Sequence, residues 1–298
     1  GNITHVGLGT FTMSTGDLLS VGAVTGGAGA TTVTLAENTT IGTTLTHGAG
    51  ADTFTGTGGA DTFTFGSADS MAGGSGVDTF TAAAAVTSAT IVGGAGADTV
   101  TFSGAINTAT IIDNDGISVT GGTGIDTFTL ANTAAISATT IDGGTGADVI
   151  SSVGAYVNTV TYKDMDALTL TNNAATSSTT ITGTSATAVT VGTNAQTITS
   201  TSSALTTVTA GAATAYTLAG TGAFAVSGQT TGTITGTTTG ALTVTAGAAN
   251  TTVVGAGATT VDTTLMTSAE TLTLSGAGAM TVTGHNSTGQ VTSTGAGA

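Results

Sequence analysis

The sequence predicts an all-β protein built as a parallel β-solenoid, and three observations carry that expectation. A nine-residue glycine–aspartate unit recurs through the first half of the chain. Short runs alternating threonine with Val, Ile, Leu or Phe follow one another almost to the end. The 298 residues include 48 glycines, no proline, no cysteine and no tryptophan, so large side chains are too few to fill a thick globular core.

The glycine content sets the first physical problem. Glycine-rich backbone loses much entropy on ordering, so repetition or bound metal must compensate. Disorder is the alternative for a glycine-rich, acidic, aromatic-poor chain. Against it, 39% of the residues are hydrophobic, and they fall in alternating runs.

The repeat comes next. Aligned on its aspartate it reads GGSGVDTFT at 73–81, GGAGADTVT at 93–101, GGTGIDTFT at 121–129 and GGTGADVIS at 143–151. HGAGADTFT at 47–55 and GTGGADTFT at 56–64 are close matches. The glycines permit the positive φ angles of a tight turn. The aspartate closes the turn with its carboxylate toward the neighbouring coil. Thr-Phe-Thr or Thr-Val-Thr then starts a strand with the apolar residue inward. Phe54, Phe63, Phe80 and Phe128 take that inward slot and are expected to stack along the core. The motif aspartates step first by nine residues and then by larger intervals near twenty, which suits a coil of about 20 residues made of two half-coils.

The turns offer carboxylates and glycine carbonyls but no thiolate and almost no imidazole. Such an oxygen-only set suits calcium, which takes six to eight oxygens, better than Mg²⁺ or a transition metal. Asp52, Asp61, Asp78, Asp98, Asp126 and Asp148 are the expected ligands. Asp69, eight residues after Asp61 and nine before Asp78, is a further candidate. Asp113 and Asp115 in IIDNDGI are either a ligand pair or part of an Asx turn. Asp164 and Asp166 either solvate a loop or pair with Lys163. Carboxylates stacked at about 5 Å repel by roughly 1 kcal/mol in water and about 3 kcal/mol at an effective dielectric of 20. Several such neighbours would offset much of a domain's stability of roughly 5–15 kcal/mol. Calcium reverses that sign, so the central third is expected to need it to fold.

These nonapeptides resemble those of the repeats-in-toxin, or haemolysin-type calcium-binding, family. The resemblance covers about residues 47–151. It implies secretion from a Gram-negative bacterium and calcium held between stacked turns by aspartate and main-chain oxygens. It also adds Asp142, just before GGTG, as an auxiliary acid of a kind frequent in that family. Tandem nonapeptides occur only at 47–64, so the spacing favours a one-sided ladder of sites over a two-sided roll. The Ala/Thr/Gly bias also resembles bacterial surface-layer proteins that carry such repeats. Right-handed coiling is expected from the resemblance and from the usual hand of parallel crossovers.

Three regions follow: degenerate leading coils at 1–46, a calcium-binding solenoid at 47–166, and a calcium-poor continuation at 167–298. Twelve of the 16 acids fall between Asp52 and Asp166. Thr31 in GGAGATTVT and Thr259 in GAGATTV stand where the aspartate belongs.

The charge and the missing motifs exclude several functions. A formal charge of −15 with Lys163 as the single base argues against nucleic-acid binding and an anionic membrane surface. No run of 18 apolar residues exists, so no membrane-inserting helix is expected. His5, His47 and His285 show no paired spacing, and no nucleophile elbow, dinucleotide fingerprint or P-loop is present, so no enzyme is expected. The first residues lack a Met or signal core and the last lack a closing element, so the sequence is expected to be a portion of a longer chain.

The expected function is therefore structural: an extracellular, calcium-stabilised solenoid self-associating into a surface layer or filament. The alternative is the repeat region of a secreted adhesin or toxin. Outward threonine pairs such as Thr127/Thr129, Thr180/Thr182, Thr197/Thr199 and Thr243/Thr245 resemble the arrays of ice-binding solenoids. Their irregular spacing instead favours threonine as an ordinary polar strand former.

Overall fold

Threonine alternating with one apolar residue makes each short strand two-faced. In Thr62–Phe65, Thr62 is exposed, Phe63 is fully buried, Thr64 is half-buried and Phe65 is fully buried. Such strands cannot bury their apolar face alone, so coils stack. The computed structural model describes the chain apart from residues 1, 5–10, 15–21, 36–41, 57, 105, 113–114, 153–157, 171–176, 193, 211–214, 229–231, 247–249, 267–269, 285–289 and 295–298. It is an all-β parallel β-solenoid of about 12 turns, with no helix among the described residues. Two compact units divide it, residues 1–150 and 151–298.

In the first unit the chain alternates between two parallel sheets. One contains Ala23–Thr25, Thr44–Thr46, Thr62–Phe65, Thr79–Ala82, Asp98–Thr101, Ile117–Thr120 and Ile136–Asp142. The other contains Phe11–Ser14, Thr31–Thr34, Thr53–Thr55, Ser70–Ser75, Ala89–Ala95, Ile106–Ile112 and Ile125–Leu130. Register lines the apolar residues into columns. Val24, Leu45, Phe63, Phe80, Val100, Val119 and Ile141 form one, all fully buried. Val33, Phe54, Met71, Ile91, Ile111 and Leu130 form the other, each at most 1% exposed. Phe102 contacts both sheets, with its ring centroid 5.0 Å from that of Phe128 and 5.5 Å from that of Phe65. A core one side chain deep per sheet is what so few large residues can fill.

The expected phenylalanine stack is realised only in part. Phe63 stacks on Phe80 with centroids 4.6 Å apart, because both occupy the same column. Phe54 belongs to the other sheet, where its register neighbours are Val33 and Met71.

The second unit repeats this arrangement. Leu168, Val189, Val208, Val226, Val244 and Val261 make a column of register partners, each at most 2% exposed. The neighbouring sheet contributes Tyr162, Ile181, Ile198, Leu218, Ile234, Val253 and Leu274 to the core.

Candidate metal-binding turns

The repeat turn is built by glycine. Its second and fourth positions take positive φ in three copies: 106° and 146° at Gly74 and Gly76, 105° and 134° at Gly94 and Gly96, and 87° and 145° at Gly144 and Gly146. L-residues rarely adopt that conformation. The turn swings the aspartate side chain back into the stack. Asp52, Asp61, Asp69, Asp78, Asp98, Asp126 and Asp148 are each at most 2% exposed. For carboxylates, such burial requires compensation.

Part of it comes from the backbone of the preceding coil. The N–H of Thr43 donates to Oδ1 of Asp61 at 2.6 Å, that of Asp61 to Asp78 at 2.7 Å, and that of Asp78 to Asp98 at 2.9 Å. At the other sheet, Thr31 donates to Asp52 at 2.7 Å and Asp52 to Asp69 at 2.8 Å. Farther along that edge, Asn107 donates to Asp126 and Asp126 to Asp148, both at 2.8 Å. The carboxylates therefore form ladders at the leading edges of both sheets. This corrects the expected one-sided ladder. Coils span 17 to 22 residues, and a nine-residue step within them moves from one sheet edge to the other.

The second carboxylate oxygen turns to its own coil. Gly48, Gly66 and Gly122 donate N–H to Oδ2 of Asp52, Asp69 and Asp126 at 2.6, 2.6 and 2.8 Å. Oδ2 of Asp78 is buried without a hydrogen bond. The glycine five residues before the aspartate lets this oxygen approach the backbone. A Cβ added to Gly73 would collide with Oδ2 of Asp78 and with the carbonyl oxygen of Gly93 in the next coil. Gly56 stands likewise to Asp61 and Gly73, and Gly121 to Asp126 and Gly143. At three turns, then, a carboxylate oxygen and a carbonyl oxygen from successive rungs converge. Hard cations take such donors.

Electrostatics run the same way. Burial pushes the Asp78 carboxyl up to about 6; its hydrogen bond from Asp61 lowers it, and the charges of Asp98 and Asp61 raise it further. Burial likewise raises Asp69, opposed by N–H donation from Asp52 and Gly66. Lys163 belongs to the second unit, where its Nζ lies 3.7 Å from Oδ2 of Asp164. The N–H of Thr184 donates to Asp164 at 2.7 Å and holds its carboxyl below the usual range, with Lys163 assisting.

The remaining candidates lie elsewhere. Asp142 is half-buried, and its Oδ1 accepts the N–H of Gly144 at 3.1 Å in an Asx turn. Its strand pairing places it beside Thr120, outside both ladders. Asp115 is exposed, and its Oδ2 accepts the N–H of Gly96 at 3.3 Å. Asp113, His5 and His285 lie outside the described residues. Thr31 does take an aspartate position, in register with Asp52. Thr259 is buried, its hydroxyl donating to the carbonyl of Gly257 at 3.1 Å.

Two members were not foreseen from the sequence. Asn107 fills a ladder rung, donating through Nδ2 to Oδ1 of Asp126 at 2.8 Å. His47 comes within 3.5 Å of Asp69 through Nδ1. No protein-family model, curated protein or solved structure matches the chain. No helix of the described residues is long and apolar enough to cross a membrane.

Proposed function

We propose that this chain is an extracellular structural protein: a right-handed, calcium-stabilised β-solenoid that self-associates into a bacterial surface layer or filament. One observation carries the reading. Asp61, Asp78 and Asp98 are buried on successive rungs, and Oδ2 of Asp78 has no hydrogen bond. Such a row destabilises a solenoid unless a cation neutralises it. The oxygen pairs Asp61 with Gly73, Asp78 with Gly93 and Asp126 with Gly143 would hold Ca²⁺ between rungs, with water completing its shell. Calcium supplies charge neutralisation and cross-linking of adjacent coils. The chain itself supplies the shape, since glycine at positions 56, 73 and 121 keeps the oxygens in reach of one another. The resemblance to repeats-in-toxin nonapeptides supports the same ion and an extracellular location. Circular dichroism melts with calcium and after chelation test this. The reading expects β-structure in the first unit to melt earlier without calcium. Identical melts would overturn it.

A specific observation favours a second reading, binding to ice. Although the threonine pairs are irregular in sequence, register aligns them. Thr44, Thr62, Thr79 and Thr99 form one column, and Thr46, Thr64, Thr81, Thr101 and Thr120 another. The turns absorb the variation in coil length, so the strand faces stay in step. A regular hydroxyl–methyl array of this kind suits ordered water. Thermal hysteresis of the purified chain discriminates the readings: its presence supports ice binding, its absence the structural role.

A further inference from the structure

Among the six repeat copies, one replaces the first glycine of the turn with another residue: His47 in HGAGADTFT. The exchange puts an imidazole where five other turns have a hydrogen atom. Room for the ring comes from Gly66, because a Cβ there would lie 2.6 Å from Cε1 and 2.8 Å from Nδ1 of His47. The ring therefore lies against a bare backbone beside two buried carboxylates. Ligand atoms of His47, Asp52 and Asp69 all fall within 4.8 Å of one another. Nδ1 of His47 is 3.5 Å from Oδ2 of Asp69. Two ligands of one tetrahedral zinc, each about 2.0–2.1 Å from the metal, are themselves about 3.3–3.4 Å apart. The side chain of His47 is 22% exposed and that of Asp69 fully buried, so the cluster opens to solvent on the imidazole side.

We propose that His47, Asp52 and Asp69 form a site for a zinc-class divalent transition ion, chemically distinct from the oxygen-only turns. Imidazole nitrogen selects for such ions over Ca²⁺. Two carboxylates and a neutral imidazole balance the charge of one M²⁺. Each aspartate Oδ2 accepts an N–H, from Gly48 or Gly66, and retains a second lone pair for the metal. Those N–H bonds fix the direction in which the carboxylates present themselves, as outer partners of metal ligands do. The fourth position is open to water or to a donor from another molecule. The inference does not rest on the calcium reading; it removes Asp52 and Asp69 from that set and stands whether or not the other turns take calcium.

The test is Zn²⁺ titration calorimetry on the full chain in excess Ca²⁺, paired with Co²⁺ as an absorbing probe. The expected result is one equivalent of Zn²⁺ and a visible Co²⁺ ligand-field band. His47→Gly, which restores the repeat glycine, is expected to weaken Zn²⁺ binding by more than about tenfold and to erase the band. Gly66→Ala, which crowds the His47 ring while leaving all three ligand residues in the sequence, is expected to weaken it by about tenfold. Asp164→Asn in the second unit is expected to leave Zn²⁺ binding unchanged. No Zn²⁺ binding by the parent chain, or equal affinity in His47→Gly, would overturn the assignment. Loss of the calcium effect on melting with Zn²⁺ binding retained would overturn the calcium reading alone.

Discussion

The backbone N–H of Asp61 donates to Oδ1 of Asp78, 17 residues later, at 2.7 Å. One carboxylate thus caps the coil before it, and the next carboxylate caps that one in turn. The same bond that satisfies a buried N–H also brings two negative charges onto adjacent rungs. Stability of the first unit therefore turns on what neutralises them.

Replacing Asp78 by Asn keeps an acceptor for the Asp61 N–H and removes the middle charge. Asn107 already occupies a rung of the other ladder in this way, its Oδ1 accepting the Val86 N–H at 3.2 Å. Asp78→Asn is expected to raise the stability of chelated protein by about 1–3 kcal/mol and to shrink the calcium-dependent gain. Denaturant melts with and without calcium measure both.

Gly73 is one of the positions where a side chain has no room. In Gly73→Ala the new Cβ meets Oδ2 of Asp78 and the Gly93 carbonyl together. The substitution is expected to destabilise the unit by about 1–3 kcal/mol, as overpacking does, and to weaken calcium binding. Thermal melts and calcium titration of the variant check the two effects separately.

Phe63 occupies the column between Leu45 and Phe80 and stacks on Phe80 at 4.6 Å. Phe63→Ala is expected to cost about 3–5 kcal/mol, because a stack one side chain deep has little freedom to close the cavity. Equilibrium denaturation in calcium measures it.

Asp164 gives a pH dependence in the second unit. Its folded carboxyl is held below its ordinary pKa of 3.8 by the Thr184 N–H and by Lys163. A depressed carboxyl stabilises the fold above its unfolded pKa, and that contribution disappears as pH falls through the folded pKa. Asp164→Asn is therefore expected to be less stable than the parent at neutral pH, by no more than about 1 kcal/mol, with the two converging in acid. Melts at neutral and acid pH check the convergence.

Much of the fold was legible because alternation in a strand has one meaning. Thr-Phe-Thr at 62–64 and 79–81 puts phenylalanine inside whatever the surrounding topology, and a coil near twenty residues follows from the repeat. The arrangement of the carboxylates was less legible, because it depends on register across coils of unequal length. The step from Asp61 to Asp78 is one full coil, whereas that from Asp52 to Asp61 crosses to the other sheet. Asp69 lacks the preceding glycine cluster yet stacks on Asp52, since strand pairing rather than the motif puts it there. Threonine columns were hidden for the same reason. Nothing in the spacing of the three histidines singles out His47; only stacking brings Gly66, from a later coil, against its ring.

Under the proposed function, a divalent cation joins adjacent rungs through the buried carboxylates. An anomalous-scattering map of calcium-grown crystals tests it most directly. Peaks are expected beside Oδ2 of Asp61, Asp78 and Asp126, each shared with a glycine carbonyl of the next coil. Those positions without anomalous density, and with the carboxylates held by backbone N–H groups alone, would contradict it.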